Sequence, residues 1–76
     1  MKTTFTISFS WDNEACVWIA SSDDIPGLVL EHGSFDALIE RVRFAIGDLL
    51  DLENSQYRDI SLDYVTSRHE KLIAHG

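Results

Sequence analysis

Two adjacent carboxylates, Asp23 and Asp24, are the residues that first suggest chemistry. General acid–base catalysis needs carboxylates that converge on one point, together with a base or a metal site. Asp23 and Asp24 fall in a corner loop, where aspartate is common because its side chain bonds nearby backbone. They are therefore read as solvated turn residues or as an acidic patch facing a partner, and a hydrolase built on them is the remotest alternative. His32, His69 and His75 have no zinc-ligand spacing, and Cys16 has no thiol companion. His32 reads as a loop residue, and Cys16 as a small half-buried hydrophobe. Gly33-Ser34 would suit an anion at a helix N-terminus, but with no glycine-rich loop or nearby cation the pair reads as ordinary capping. No catalytic residue, metal ligand or cofactor is expected.

The 76 residues make a single domain with a thin core, spanning about residues 3–66 with a tail over 67–76. Hydrophobic content of 45% with eight aromatic residues marks a folding chain rather than a disordered one. Six Lys and Arg against thirteen Asp and Glu give a net charge of −7. The imbalance is local: residues 1–56 hold three cations against ten carboxylates, whereas over 57–76 Arg58, Arg68 and Lys71 cancel Asp59, Asp63 and Glu70. Such a body repels phosphate backbones, so direct nucleic-acid binding is disfavoured, and it steers towards basic partners. A single cysteine, no membrane-length apolar run and no signal-peptide h-region point to a cytoplasmic protein without a membrane partner.

Local patterning must position whatever the chain does. Over residues 3–11, Phe5, Ile7, Phe9 and Trp11 alternate with Thr4, Thr6, Ser8 and Ser10, the mark of a half-buried strand. Asp12-Asn13 supplies turn chemistry, and 14–21 forms the return strand. Ile25-Pro26-Gly27-Leu28 predicts a type II turn, with Gly27 at positive φ. Leu28, Val29 and Leu30 make a short third strand, broken at Gly33, and Ser34 caps a helix whose first turn holds Asp36. Phe35, Leu38, Ile39, Val42, Ile46, Leu49 and Leu50 form one helical stripe to about residue 52. Gly47 in that helix costs about 1 kcal/mol and suggests close packing. A loop over 53–56 precedes a fourth strand over 59–65. The tail either prolongs that strand or forms a helical turn.

These elements predict an α+β domain of order β-β-β-α-β, an antiparallel sheet with one helix on one face. A two-residue turn at Asp12-Asn13 sets Phe9 opposite Cys16 and Ile7 opposite Trp18, placing Trp18 in the core. A turn one residue longer would reverse the faces. One helix cannot cover both faces of a sheet. The uncovered face, with Thr4, Thr6, Ser8, Val17 and Ile19, is the expected dimer or partner surface. The partner-binding candidates are Val17, Ile19, Thr6, Ser8, Asp23 and Asp24.

The stretch from Trp18 to Ile39, with its Asp24-Ile25-Pro26-Gly27 corner, Glu31, Gly33-Ser34 cap and following helix, resembles the HicB antitoxin superfamily. Trp11-Asp12-Asn13-Glu14-Ala15, Val17-Trp18-Ile19-Ala20, Ser22-Asp23-Asp24-Ile25-Pro26-Gly27-Leu28 and Leu49-Leu50 look closer to the small stand-alone bacterial family called domain of unknown function 1902. The resemblance covers about residues 5–65. It implies a HicB-like, partial RNase-H-like fold, and a non-enzymatic module that masks a small basic HicA-like toxin which cleaves RNA. Two departures stand out: Asp23 occupies a position where antitoxins usually have proline, and no DNA-binding motif follows residue 66. The expectation is an interaction domain, homodimeric, acting as such an antitoxin. The competing expectation is an orphan self-associating structural or regulatory module with no toxin.

Overall fold

β1 (Thr4–Asp12), β2 (Val17–Ser21), β3 (Val29–His32), α1 (Phe35–Leu49) and β4 (Ser61–Ser67) follow one another in the expected order, an α+β domain. The computed structural model describes residues 3–52 and 59–74; the loop expected over 53–56, His75 and Gly76 lie outside the described residues. The strands lie side by side in the order β3-β2-β1-β4. β2 is antiparallel to both β1 and β3, but β4 runs parallel to β1, from Thr4↔Ser61 to Ser10↔Ser67. The sheet is thus mixed, a correction to the wholly antiparallel expectation. Two reversals point β3 the same way as β1; α1 returns the chain, and β4 must then run with β1, the crossover that a parallel pair requires.

The first hairpin closes at Asp12↔Val17, with Trp11 facing Trp18 and Phe9 facing Ala20. Its loop is therefore four residues long, not the expected two. Asp12 accounts for this, because its Oδ1 accepts the amides of Glu14 at 2.9 Å and Ala15 at 3.3 Å. Positive φ falls on Cys16, at 55°, instead of on Asp12-Asn13. The loop also starts one residue later than expected, so every pairing moves by four residues, from Phe9 opposite Cys16 to Phe9 opposite Ala20. That even slip preserves the faces, because side chains alternate with period two. Trp18 accordingly stays on the face of Phe9. Cys16 is exposed, not half-buried as its type suggested. A left-handed conformation costs an ordinary L-residue about 1–2 kcal/mol, part of which glycine gives back as chain entropy. Cys16→Gly should therefore stabilise the fold by about 0.5–1 kcal/mol, a rise of a few degrees in a thermal melt.

The core joins Phe5, Ile7, Phe9 and Ala20 of the sheet to Leu38, Val42 and Ile46 of α1. Each large apolar side chain here contributes roughly 1.5–3 kcal/mol before chain entropy is subtracted. Two further core residues, Ile25 and Leu28, come from the corner. The corner closes as expected: Leu28 N–H donates to the Ile25 carbonyl at 3.2 Å, and Gly27 takes φ 89°. The helix start is also as expected, with Ser34 Oγ accepting the Ala37 amide at 3.3 Å and Asp36 in the first turn.

The helix end differs. α1 stops at Leu49, because Asp51 adopts φ 50° and the amides of Asp51 and Leu52 donate back to Asp48 and Gly47, the pattern of a Schellman cap. Leu49, expected in the buried stripe, is 47% exposed. Gly47 has open space where a Cβ would stand, so close packing does not explain it. β4 begins at Ser61, not at residue 59, and ends at Ser67; residues 68–74 form neither strand nor helix and are exposed. No helix among the described residues is long and apolar enough to cross a membrane.

Candidate interaction surface

α1 packs on one side of the sheet, and strand alternation with the observed register fixes what the other side carries. β1 presents Thr4, Thr6, Ser8, Ser10 and Asp12 there, and β2 presents Val17, Ile19 and Ser21. Val29 and Glu31 of β3 align with Ser21 and Ile19. Asp63, Val65 and Ser67 of β4 align with Thr6, Ser8 and Ser10. The expected surface residues Val17, Ile19, Thr6 and Ser8 thus do share one face. Thr6 and Ser8 are exposed, whereas Val17 and Ile19 are half-buried.

The face is wider than the sequence alone indicated. Val29 and Val65 also lie on it, 72% and 53% exposed. So do three carboxylates, Asp12, Glu31 and Asp63, and none of its strand residues is Lys, Arg or His. The signal was present in the alternation of β3 and β4. Reading it required knowing that β4 lies beside β1, a contact between residues more than fifty positions apart.

Asp23 and Asp24 separate in role. Asp23 is exposed in the corner loop. Asp24 is half-buried, and its Oδ2 accepts the Thr6 amide at 2.8 Å. Ser22 Oγ donates to the Thr6 carbonyl at 2.6 Å and accepts the Asp24 amide at 3.0 Å. β2 leaves β1 at the pair Ser8↔Ser21, and Thr6 is the next β1 residue whose main-chain groups point to that side. Two side chains thus take the place of the missing strand. Of the two carboxylates, Asp23 is the one displayed to solvent.

An aromatic cluster closes the hairpin end on the helix side. Trp11 meets Trp18 edge to face at 5.4 Å, Trp18 meets Phe35 at 5.0 Å, and Phe35 meets Phe9 at 4.9 Å. The Arg68 guanidinium carbon stands 4.1 Å from the Trp11 ring centre and 5.8 Å from that of Trp18, a cation–π contact that ties the end of β4 to the hairpin. His32, on the same side, accepts the Ser34 amide at its Nδ1 at 2.8 Å. It holds the turn into α1, a structural task, but from the last position of β3, where it pairs with Trp18, and not from the loop expected of it.

Among the described residues, no three of His, Cys, Asp and Glu come together as metal ligands would. A groove of about 370 Å³ lies along the C-terminal half of α1, lined by Arg43, Phe44, Gly47, Asp48, Asp51 and Leu52. None of the residues singled out from the sequence for chemistry or partner binding lines it. What the open sheet face can do is offer β-branched side chains, hydroxyl groups and negative charge to a flat, positively charged surface.

The family described as "Domain of unknown function (DUF1902)" matches residues 4–75. A solved structure, the crystal structure of hypothetical protein TTHA1013 from the extremely thermophilic bacterium Thermus thermophilus, is similar at 30% sequence identity. It superposes with a TM-score of 0.65, covering 93% of this chain and 99% of its own. No curated protein matches the chain.

Proposed function

The chain belongs to the DUF1902 family, and from its open sheet face we propose that it is a non-enzymatic protein–protein interaction module that binds a basic protein. One observation carries this reading: the face left bare by α1 combines Val17, Ile19, Val29 and Val65 with hydroxyl side chains and three carboxylates, and with no strand cation. Face-to-face contact between two copies would set these carboxylates against one another, whereas a basic partner neutralises them. Asp23, exposed at the corner, adds to the same charge. The arrangement favours fast, salt-sensitive association with a cationic surface. The HicB resemblance supplies a candidate for that surface. In this reading the chain is a cytoplasmic, HicB-like antitoxin that masks a small basic ribonuclease of the HicA type.

The test uses the adjacent reading frame. Where that frame encodes a short basic protein with a catalytic histidine, the two should copurify, and toxicity of the neighbour should fall when this chain is present. Val17→Glu places a further carboxylate among half-buried apolar groups on the face. It should weaken the complex about ten-fold, near 1.4 kcal/mol, while leaving the fold intact by circular dichroism. Failure to copurify, together with undiminished toxicity, would rule out the antitoxin reading; unchanged affinity of Val17→Glu would rule out the face.

A further inference from the structure

We propose that two copies of the chain pair through the outer edge of β4, antiparallel and centred on Tyr64, joining their sheets into one of eight strands. β4 is the last strand of the sheet, so no described strand lies beyond it. The Ser61 amide donates to the Thr3 carbonyl at 2.7 Å. Ser61 therefore directs its main-chain groups towards β1, and alternation sends those of Asp63, Val65 and Ser67 the same way. The amides and carbonyls of Leu62, Tyr64 and Thr66 point outward. An edge of this kind is a template for another strand unless proline, bulges or brevity blunt it. β4 is seven residues long and contains no proline, whereas the opposite edge, β3, has four residues.

The strand is suited to its own copy. With a two-fold axis at Tyr64, each Tyr64 bonds the other, and each Leu62 bonds Thr66 of the second copy. Three outward-pointing residues per strand then make six hydrogen bonds, all within β4. Centring on Asp63 would set like charges directly opposite, which is unfavourable. Centring on Val65 would need Leu62 to pair with Arg68, beyond the strand.

Charge favours the same arrangement. A net charge of −7 opposes self-association over most of the molecule, but residues 57–76 are neutral. The antiparallel register also brings Asp59, just before one β4, towards the segment that follows the other, where Arg68 and Lys71 outnumber Glu70. Leu62 and Tyr64, on the helix side but at its margin, are only half-buried, and a second β4 roughly 4.8 Å away would cover them.

Light scattering of the full chain across a concentration series tests the pairing. The expected mass is twice the 8.6 kDa of one chain. Thr66→Pro removes an outward amide without taking a bond from the β1 ladder, and an edge strand tolerates proline. This variant should keep its circular dichroism spectrum and weigh as one chain. Hydrogen exchange on the unaltered protein gives a second reading that does not depend on the variant folding. The amides of Leu62, Tyr64 and Thr66 should be protected at high concentration and lose that protection on dilution. A single-chain mass throughout, a Thr66→Pro dimer, or a dimer whose Tyr64 and Thr66 amides exchange freely would overturn the proposal. Val17→Glu, on the open face, should leave the dimer whole, so this inference and the basic-partner reading fail separately.

Discussion

Trp18→Ala should lower stability by about 3 kcal/mol, the bottom of the range for deleting a buried large aromatic. Trp18 is half-buried, which takes the loss below that of a fully enclosed indole. Its contacts restore part of the difference: edge-to-face packing on Trp11 at 5.4 Å and on Phe35 at 5.0 Å, geometries that contribute about 0.5–1.5 kcal/mol each beyond area. The Arg68 guanidinium would keep Trp11 but lose the second ring. For a domain of this size, stability totals roughly 4–11 kcal/mol at ~0.05–0.15 kcal/mol per residue. The variant should therefore melt about 12–24 °C lower. Trp18→Phe retains a ring against Phe35 and should recover more than half of that fall. A thermal melt of Trp18→Ala within a degree or two of the unaltered protein would mean that the indole is not packed between β1 and α1.

The fate of Trp18 also shows what the chain reveals unaided and what it does not. Periodicity found the strands and the helix, because Phe5, Ile7 and Phe9, and Leu38, Val42 and Ile46, repeat with the period of the surface they bury. Local chemistry found the corner, since Pro26-Gly27 has few other conformations, and the Ser34 cap. The hairpin loop was missed by two residues because Asp12 captures two amides with its side chain, and no composition rule distinguishes that from a tighter turn. The face of Trp18 survived the error only because the slip was even. The direction of β4, the placement of Ile25 in the core and the second half of the open face all depend on contacts between distant segments. Pattern within a window of residues carries no information about those.

The two aspartates of the corner should respond in opposite ways, and this contrast is the sharpest check on how the open face is built. Asp24→Ala should cost about 2 kcal/mol, within the ~1.5–3 kcal/mol typical of a hydrogen bond to a charged group. It removes the acceptor of the Thr6 amide at the point where β2 has left β1. The carboxylate is half-buried, so water can reach the freed amide and holds the loss below the upper limit. Asp24→Asn keeps an oxygen in place and should lose about half as much. Asp23→Ala, at an exposed position, should stay within about 0.5 kcal/mol and register instead as weaker, less salt-sensitive binding of a basic partner. Loosening at Thr6 would spread to its neighbour across the ladder, Asp63 of β4, and so to the edge through which two copies would join. Equal melting temperatures for Asp23→Ala and Asp24→Ala would show that Ser22 alone secures this end of β1, and that the second carboxylate belongs, like the first, to the surface.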